Sequence, residues 1–196
     1  MTGLRYTRRT SIVGAAAVLF SALYLLSDAL EAAQGGFSTG QLWLTLIAEA
    51  AIPIFVIGLW AIQRPQISRL GRFGAVIYAV SYVFFTGTVV YALVKAAPTF
   101  DALDHVLSPW MTIGGGLMVL GGTSFGAAVI RARVLPSWTG ATLVAGVLLV
   151  ALAQALPEGP QLCAAGIRDL GFAGMGVAAL AGYALHDDAS RTPAPA

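Results

Sequence analysis

Long apolar runs separated by short polar breaks dominate the chain from residue 11 onward. A helix needs about 20 mainly apolar residues to cross the hydrocarbon core of a bilayer. A window of that length picks out six segments, roughly 11–33, 41–62, 73–96, 106–130, 136–156 and 162–185. The breaks between them, "QGGFSTG", "RPQISRLGR", "APTFDALD", "RARVLP" and "PEGPQ", carry the proline, glycine and charge that end helices. Because the links are short, consecutive helices are expected to be antiparallel neighbours in one bundle. The expected fold is therefore all-α, a compact polytopic bundle of six transmembrane helices over residues 1–186. A disordered cytoplasmic tail is expected at 187–196, ending in "SRTPAPA".

Composition supports the same class. Charged residues make up only 10% of the 196 positions and apolar residues 58%, against about 25% charged in an average soluble domain. Mean hydropathy is +0.81. No basic patch is dense enough to track a phosphate backbone, so nucleic acid is not an expected partner. Cys163 is the single cysteine, which excludes an intrachain disulfide and a multi-thiolate metal site.

Charge gives the direction. Of the eleven basic residues, all but Lys95 and Arg168 fall on one side of the six spans. The positive-inside rule then puts both termini in the cytoplasm, and a bacterial inner membrane is the expected location. A cleaved leader is the competing reading of "RYTRR" and the apolar run behind it. Cleavage would leave the second span without its hairpin partner, so an uncleaved first span is expected. Gly14-Ala15, Gly74-Ala75 and Gly140-Ala141 each open an odd-numbered span, and a three-fold repeat of hairpins would produce that spacing.

The nine carboxylates are distributed in the opposite sense: all but Asp187 and Asp188 belong to the outer half or outer loops. Glu49 lies about 12 Å below the outer end of its span, Asp169 about 10 Å and Asp28 about 8 Å, at about 1.5 Å per residue. Three helices thus bring acids to one level, and Gln154 near the end of the fifth span can reach it. Ser21, Tyr24, Asp28 and Glu31 share one face of the first helix. Thr45, Glu49 and Pro53 stack at i, i+4, i+8 on the second, and Pro53 removes the amide that would bond the Glu49 carbonyl. Tyr78, Ser81, Tyr82, Phe85 and Thr88 make an aromatic and hydroxyl face on the third. An ionisable group inside the membrane is a functional-site hypothesis by default. Against it stands a structural reading, in which Asp28 and Glu31 sit at the interface and Arg168 pairs with Asp169, Glu49 or Asp28.

Other signals are structural. The glycines of "GGGLMVLGGTSFGAA" form a close-packing face for another helix or another copy of the chain, the basis for an expected homo-oligomer. Asp101 and His105 have metal-ligand spacing but are too few, and no metal or organic cofactor is expected. Trp43, Trp60, Trp110 and Trp138 fall near span ends, as interfacial anchors do.

The run "RARVLPSWTGATLVAGVLLVALAQ" (131–154), an arginine-flanked loop with Leu-Pro-x-Trp-x-Gly and then a span, resembles small six-helix bacterial membrane proteins, a likeness that carries no function. The membrane-embedded acids and aromatic face are similar to those of integral membrane terpene cyclases. That resemblance implies catalysis by one acid in an early helix and another in the last, the positions of Glu49 and Asp169. The better-known members have seven spans. An acid-initiated cyclisation or isomerisation of a lipid-soluble isoprenoid starts with a carboxylic acid that keeps its proton in a dry pocket. Aromatic faces then stabilise the cation. In this reading Glu49, Asp169 and Asp28 are catalytic, and Tyr24, Tyr78, Tyr82, Phe85 and Gln154 bind the substrate. The alternatives are a small proton-coupled transporter, with Glu49 and Asp169 as carriers, and an assembly subunit whose acids only set pairing.

Overall fold

A computed structural model describes residues 2–154, 156 and 158–182, all of it helix and connecting turns. Seven helices follow one another: α1 (Thr2–Gln34), α2 (Thr39–Ile62), α3 (Arg69–Lys95), α4 (Phe100–Leu107), α5 (Trp110–Ala132), α6 (Ser137–Ala153) and α7 (Glu158–Leu180). The expected tail from 187 on, with His186 and Arg191, lies outside the described residues.

The all-α expectation holds, with corrections in detail. Five helices are long and apolar enough to cross a membrane: α1 from Arg8, α2, α3, α5 and α7 from Gly159. The fifth expected span, 136–156, is only the 17-residue α6, about 25 Å long. Part of the "APTFDALD" break is itself helical. Thr99 caps α4 by accepting from the Ala102 amide at 3.3 Å, and the fourth expected span starts at Trp110 rather than 106 because Pro109 occupies its N-cap.

Local chemistry fixes the ends of the first hairpin. Gly35 and Gly36 take φ of 69° and 151° between α1 and α2, a region where side chains are strained. Phe37 then donates its amide to the Pro98 carbonyl at 2.8 Å, tying this turn to the one after α3. Ser38 caps α2 through its hydroxyl, which accepts from the Gln41 amide. The helix continues through Pro53 to Ile62.

The six longer helices close a ring in which α1 packs on α2, α2 on α3, α3 on α5, α5 on α6, α6 on α7 and α7 back on α1. Its interior is filled by large side chains, among them Phe55, Tyr78, Tyr82, Phe125 and Phe172, all essentially without solvent contact. The outside is apolar too: Ile54, Val83, Val94, Leu152, Leu170 and Val177 are all more than half exposed. A helix that is apolar on both faces is suited to a bilayer rather than to water. The chain thus has the span lengths and the apolar surface of a membrane protein.

Glycines set how closely the ring closes. Gly14 meets Gly176 across α1 and α7, Gly74 meets Gly121 across α3 and α5, and Gly140 meets Gly126 across α6 and α5. The glycines of the three Gly-Ala pairs are therefore helix contacts. They face their partners in different senses around the ring, Gly74 forward and the other two backward, which a three-fold repeat would not do. Gly122 packs on Val147 and Tyr78, so much of the glycine face on α5 is occupied inside the chain. A Cβ at Gly121 would lie 2.5 Å from the Tyr78 amide nitrogen, whereas one at Gly115 would meet nothing within 4 Å. Gly121→Ala is expected to destabilise the protein by about 1–3 kcal/mol. Gly115→Ala should be neutral or stabilising, by up to about 1 kcal/mol from helix propensity. Unfolding of both variants in mild detergent checks the pair.

Candidate functional site: a buried acid, guanidinium and aromatic cluster

Four helices of the ring converge on one cluster. α1 supplies Tyr24, α2 Glu49, α3 Tyr78 and Tyr82, and α7 Arg168, Asp169 and Phe172. Glu49, Arg168 and Asp169 are each only 4% exposed, so all three are withdrawn from solvent together. The Tyr24 hydroxyl donates to Glu49 Oε1 at 2.9 Å. Arg168 Nε donates to Asp169 Oδ1 at 2.9 Å, making a buried ion pair between neighbours in sequence. The Arg168 guanidinium carbon lies 4.8 Å from the centre of the Tyr24 ring. Tyr24 therefore touches both halves: its hydroxyl holds the acid and its face carries the cation.

The aromatic wall is a continuous stack. Tyr24 meets Tyr82 edge-on at 6.2 Å, Tyr82 meets Tyr78 at 4.9 Å, and Tyr78 meets Phe172 at 5.4 Å. Phe172 then meets Phe55 at 5.5 Å, and Tyr82 meets Phe85 at 5.7 Å. Such offset and edge contacts are the favoured geometries of aromatic pairs. The rings are packed on one another.

The polar atoms of the cluster are incompletely used. Glu49 Oε2, Arg168 Nη2 and Asp169 Oδ2 are buried with no hydrogen-bond partner. A buried polar atom without a partner costs about 1–3 kcal/mol, so three in one place call for an explanation beyond packing. Glu49 has no basic group in ion-pairing contact among the described residues, while Asp169 has Arg168. The two carboxylates thus have different neighbours within one cluster.

A polar line leads outward from Glu49 along its own helix. The Gln41 side-chain nitrogen Nε2 donates to Thr45 Oγ1 at 3.0 Å and to Glu31 Oε2 at 3.2 Å, and Thr45 stands one turn before Glu49. Half-buried Asp28 lies within electrostatic reach of Arg168, Asp169, Glu31 and Glu49.

Of the residues singled out from sequence, Glu49, Asp169, Tyr24, Tyr78, Tyr82 and Phe85 are thus brought together, with Asp28 at the edge. Gln154 is not. It is exposed at the end of α6, and its side-chain nitrogen donates to the Val150 carbonyl of its own helix. Arg168 takes Asp169 from the three partners considered for it. Phe55, Phe172 and Gln41 were not singled out. Phe172 lies four residues after Arg168, and Gln41 extends the Thr45–Glu49–Pro53 stack by one turn, so helical spacing alone contained both. Asp101 and His105 are exposed on α4, remote from this cluster in sequence and on a different helix. Among the described residues no group of three His, Cys, Asp or Glu side chains could hold a metal ion.

α6 contributes an absence. The Arg168 backbone packs directly against Gly146, where a Cβ would overlap its amide nitrogen and Cα. Gly171 in turn sits against the Leu143 backbone. This close approach of α6 and α7 sets the height at which Arg168 and Asp169 enter the bundle. No family model matches the chain, and neither a curated protein nor a solved structure matches it.

Proposed function

We propose that the protein is an integral membrane enzyme of the bacterial inner membrane that isomerises or cyclises a lipid-soluble, isoprenoid-type substrate by proton transfer. The single observation that carries this reading is the Tyr24–Glu49 contact beside a separate Arg168–Asp169 pair, inside one aromatic cluster. In this reading α6 is a sixth, short span. Its length of about 25 Å is accommodated by local thinning of the bilayer or by flanking anchors such as Trp138. Both termini then lie on the arginine-rich, cytoplasmic side.

The chemistry follows from which oxygen is free. With the Tyr24 phenol donating to Oε1, a proton carried by Glu49 sits on Oε2, the oxygen with no partner. Transfer to an alkene breaks that O–H bond, forms a C–H bond and leaves a cation on the adjacent carbon. The faces of Tyr78, Tyr82, Phe85 and Phe172 stabilise it. A second alkene closes the ring, or the cation simply shifts. Asp169 Oδ2 then takes a proton from the neighbouring carbon, and the product has the mass of the substrate. Pairing with Arg168 suits Asp169 to be the base, and separation of two carboxylates by environment assigns acid and base. The substrate reaches the cluster only when the stacked rings part.

The test compares membranes containing the wild type with membranes containing Glu49→Gln. Both are incubated with linear prenyl alcohols, prenylated aromatics and their epoxides, then separated by chromatography with mass detection. A same-mass product of shifted retention, formed by the wild type and absent with the variant, is the expected result. No such product with both proteins folded, or an equal yield from the variant, overturns the reading. One observation favours a second reading, proton-coupled transport: the Glu31–Gln41–Thr45 line gives Glu49 a polar approach from the outer end. Substrate-driven proton uptake into sealed vesicles, without any chemical product, would select it.

A further inference from the structure

A second site lies at the opposite, arginine-rich end of the ring and is independent of the Glu49 cluster. A groove of about 300 Å³ runs between α1 and α2. Its lining is mainly apolar, made by Ile12, Val13, Gly58, Ala61 and Ile62 together with the buried Thr10, and the exposed Arg9 stands at its rim. Gly58 is what lets the two helices close beneath it, since a Cβ there would lie 2.7 Å from the Val13 side chain. Arg9 precedes Ile12 by about one turn of α1, so the charge sits toward the helix end and the apolar floor sits deeper. Ile12 is 59% exposed, which turns this floor outward, toward lipid.

Among the described residues, charge around the groove is of one sign. Arg8 and Arg9 on α1, Arg64 after α2, Arg131 in the last turn of α5 and Arg133 at its C-cap share this end. The carboxylates on the described residues belong to the other half of the sequence topology, from Asp28 and Glu31 to Asp101, Asp104 and Glu158. An apolar slot opening to the bilayer, with an arginine at its polar rim and no described carboxylate to neutralise it, is complementary to one kind of molecule. Basic pockets between membrane helices on the cytoplasmic side take anionic headgroups in this way. We propose that the α1–α2 groove is a binding site for an anionic phospholipid, with an acyl chain along Val13, Gly58 and Ala61 and the phosphate on Arg9.

The full chain in mild detergent, mixed with equal amounts of phosphatidylglycerol and phosphatidylcholine of the same acyl composition, provides the test by native mass spectrometry. The wild type is expected to retain phosphatidylglycerol about fivefold or more in preference, as one basic contact near the surface implies. Arg9→Gln should abolish the preference while still binding both lipids. Ala61→Phe, which fills the slot from its exposed side, should lower retention of both. Arg131→Gln, at the same end but off the groove, should leave the preference intact. Equal retention of the two lipids overturns the proposal. So does an equal loss in Arg131→Gln and Arg9→Gln, which would mean diffuse attraction. Displacement of the lipid by millimolar inorganic phosphate would make the site a free-anion site, and a dimer lost in Ala61→Phe would make it an interface; either overturns it.

Discussion

Replacing Arg168 with methionine is expected to destabilise the bundle by about 3–5 kcal/mol, because it leaves Asp169 buried without its cation. Asp169 has no described alternative: its Oδ1 accepts from Arg168 Nε and its Oδ2 has no partner at all. Asp169→Leu should cost a similar amount for the reciprocal reason, since the guanidinium would remain with only the Tyr24 face beneath it. The double variant Arg168→Met, Asp169→Leu is the informative one. Removing a buried pair together is often neutral or stabilising, so it should recover most of the loss. Unfolding of the four proteins in detergent gives a coupling energy directly. Singles as stable as the wild type would mean that water reaches the pair, and would remove the basis for treating it as one buried unit. A double variant that is stable but inactive would separate the two roles, showing that the pair is kept for chemistry rather than for the fold.

The sequence disclosed that these residues share one level of the bundle more fully than it disclosed their contacts. Depth follows from a fixed rise per residue, so Glu49, Asp169 and Asp28 could be levelled from the span ends alone. Helical spacing also put Tyr24 and Asp28 on one face, and Tyr78 with Tyr82 on another. It could not say which helix each face meets. The closure of α7 onto α1 brings Arg168 over Tyr24, and that contact joins residues 144 positions apart in the chain, beyond any local pattern. Gln154 failed for a different reason. It is the C-cap residue of α6, exposed, and its side-chain nitrogen turns back to the Val150 carbonyl of that helix instead of entering the cluster. The short α4 escaped because eight residues are too few to register in a span-length window. Gly146 and Gly171 were visible as small residues, but their use, letting α6 and α7 backbones touch, belongs to the pair of helices and not to either sequence.

Glu49→Gln and Tyr24→Phe together distinguish an acid that reacts from one that merely packs. Glutamine keeps the length of Glu49 and an oxygen for the Tyr24 phenol, so the contact at 2.9 Å can survive. Its amide protons are far too weakly acidic to transfer to an alkene. Loss of a positioned general acid removes about 10²–10⁴-fold in rate, and this is the expected fall in turnover, with stability close to that of the wild type. Tyr24→Phe acts in the opposite order. It leaves the carboxyl in place but strips Oε1 of its donor, a cost of about 1–3 kcal/mol for a buried acceptor, while the ring beneath Arg168 is retained. Its stability should therefore fall more than that of Glu49→Gln, and its turnover less. Turnover per folded protein, measured beside detergent unfolding, reads both orders at once. If Glu49→Gln instead loses stability and activity in proportion, Glu49 is a packing element, and proton transfer at Oε2 is not the chemistry of this site.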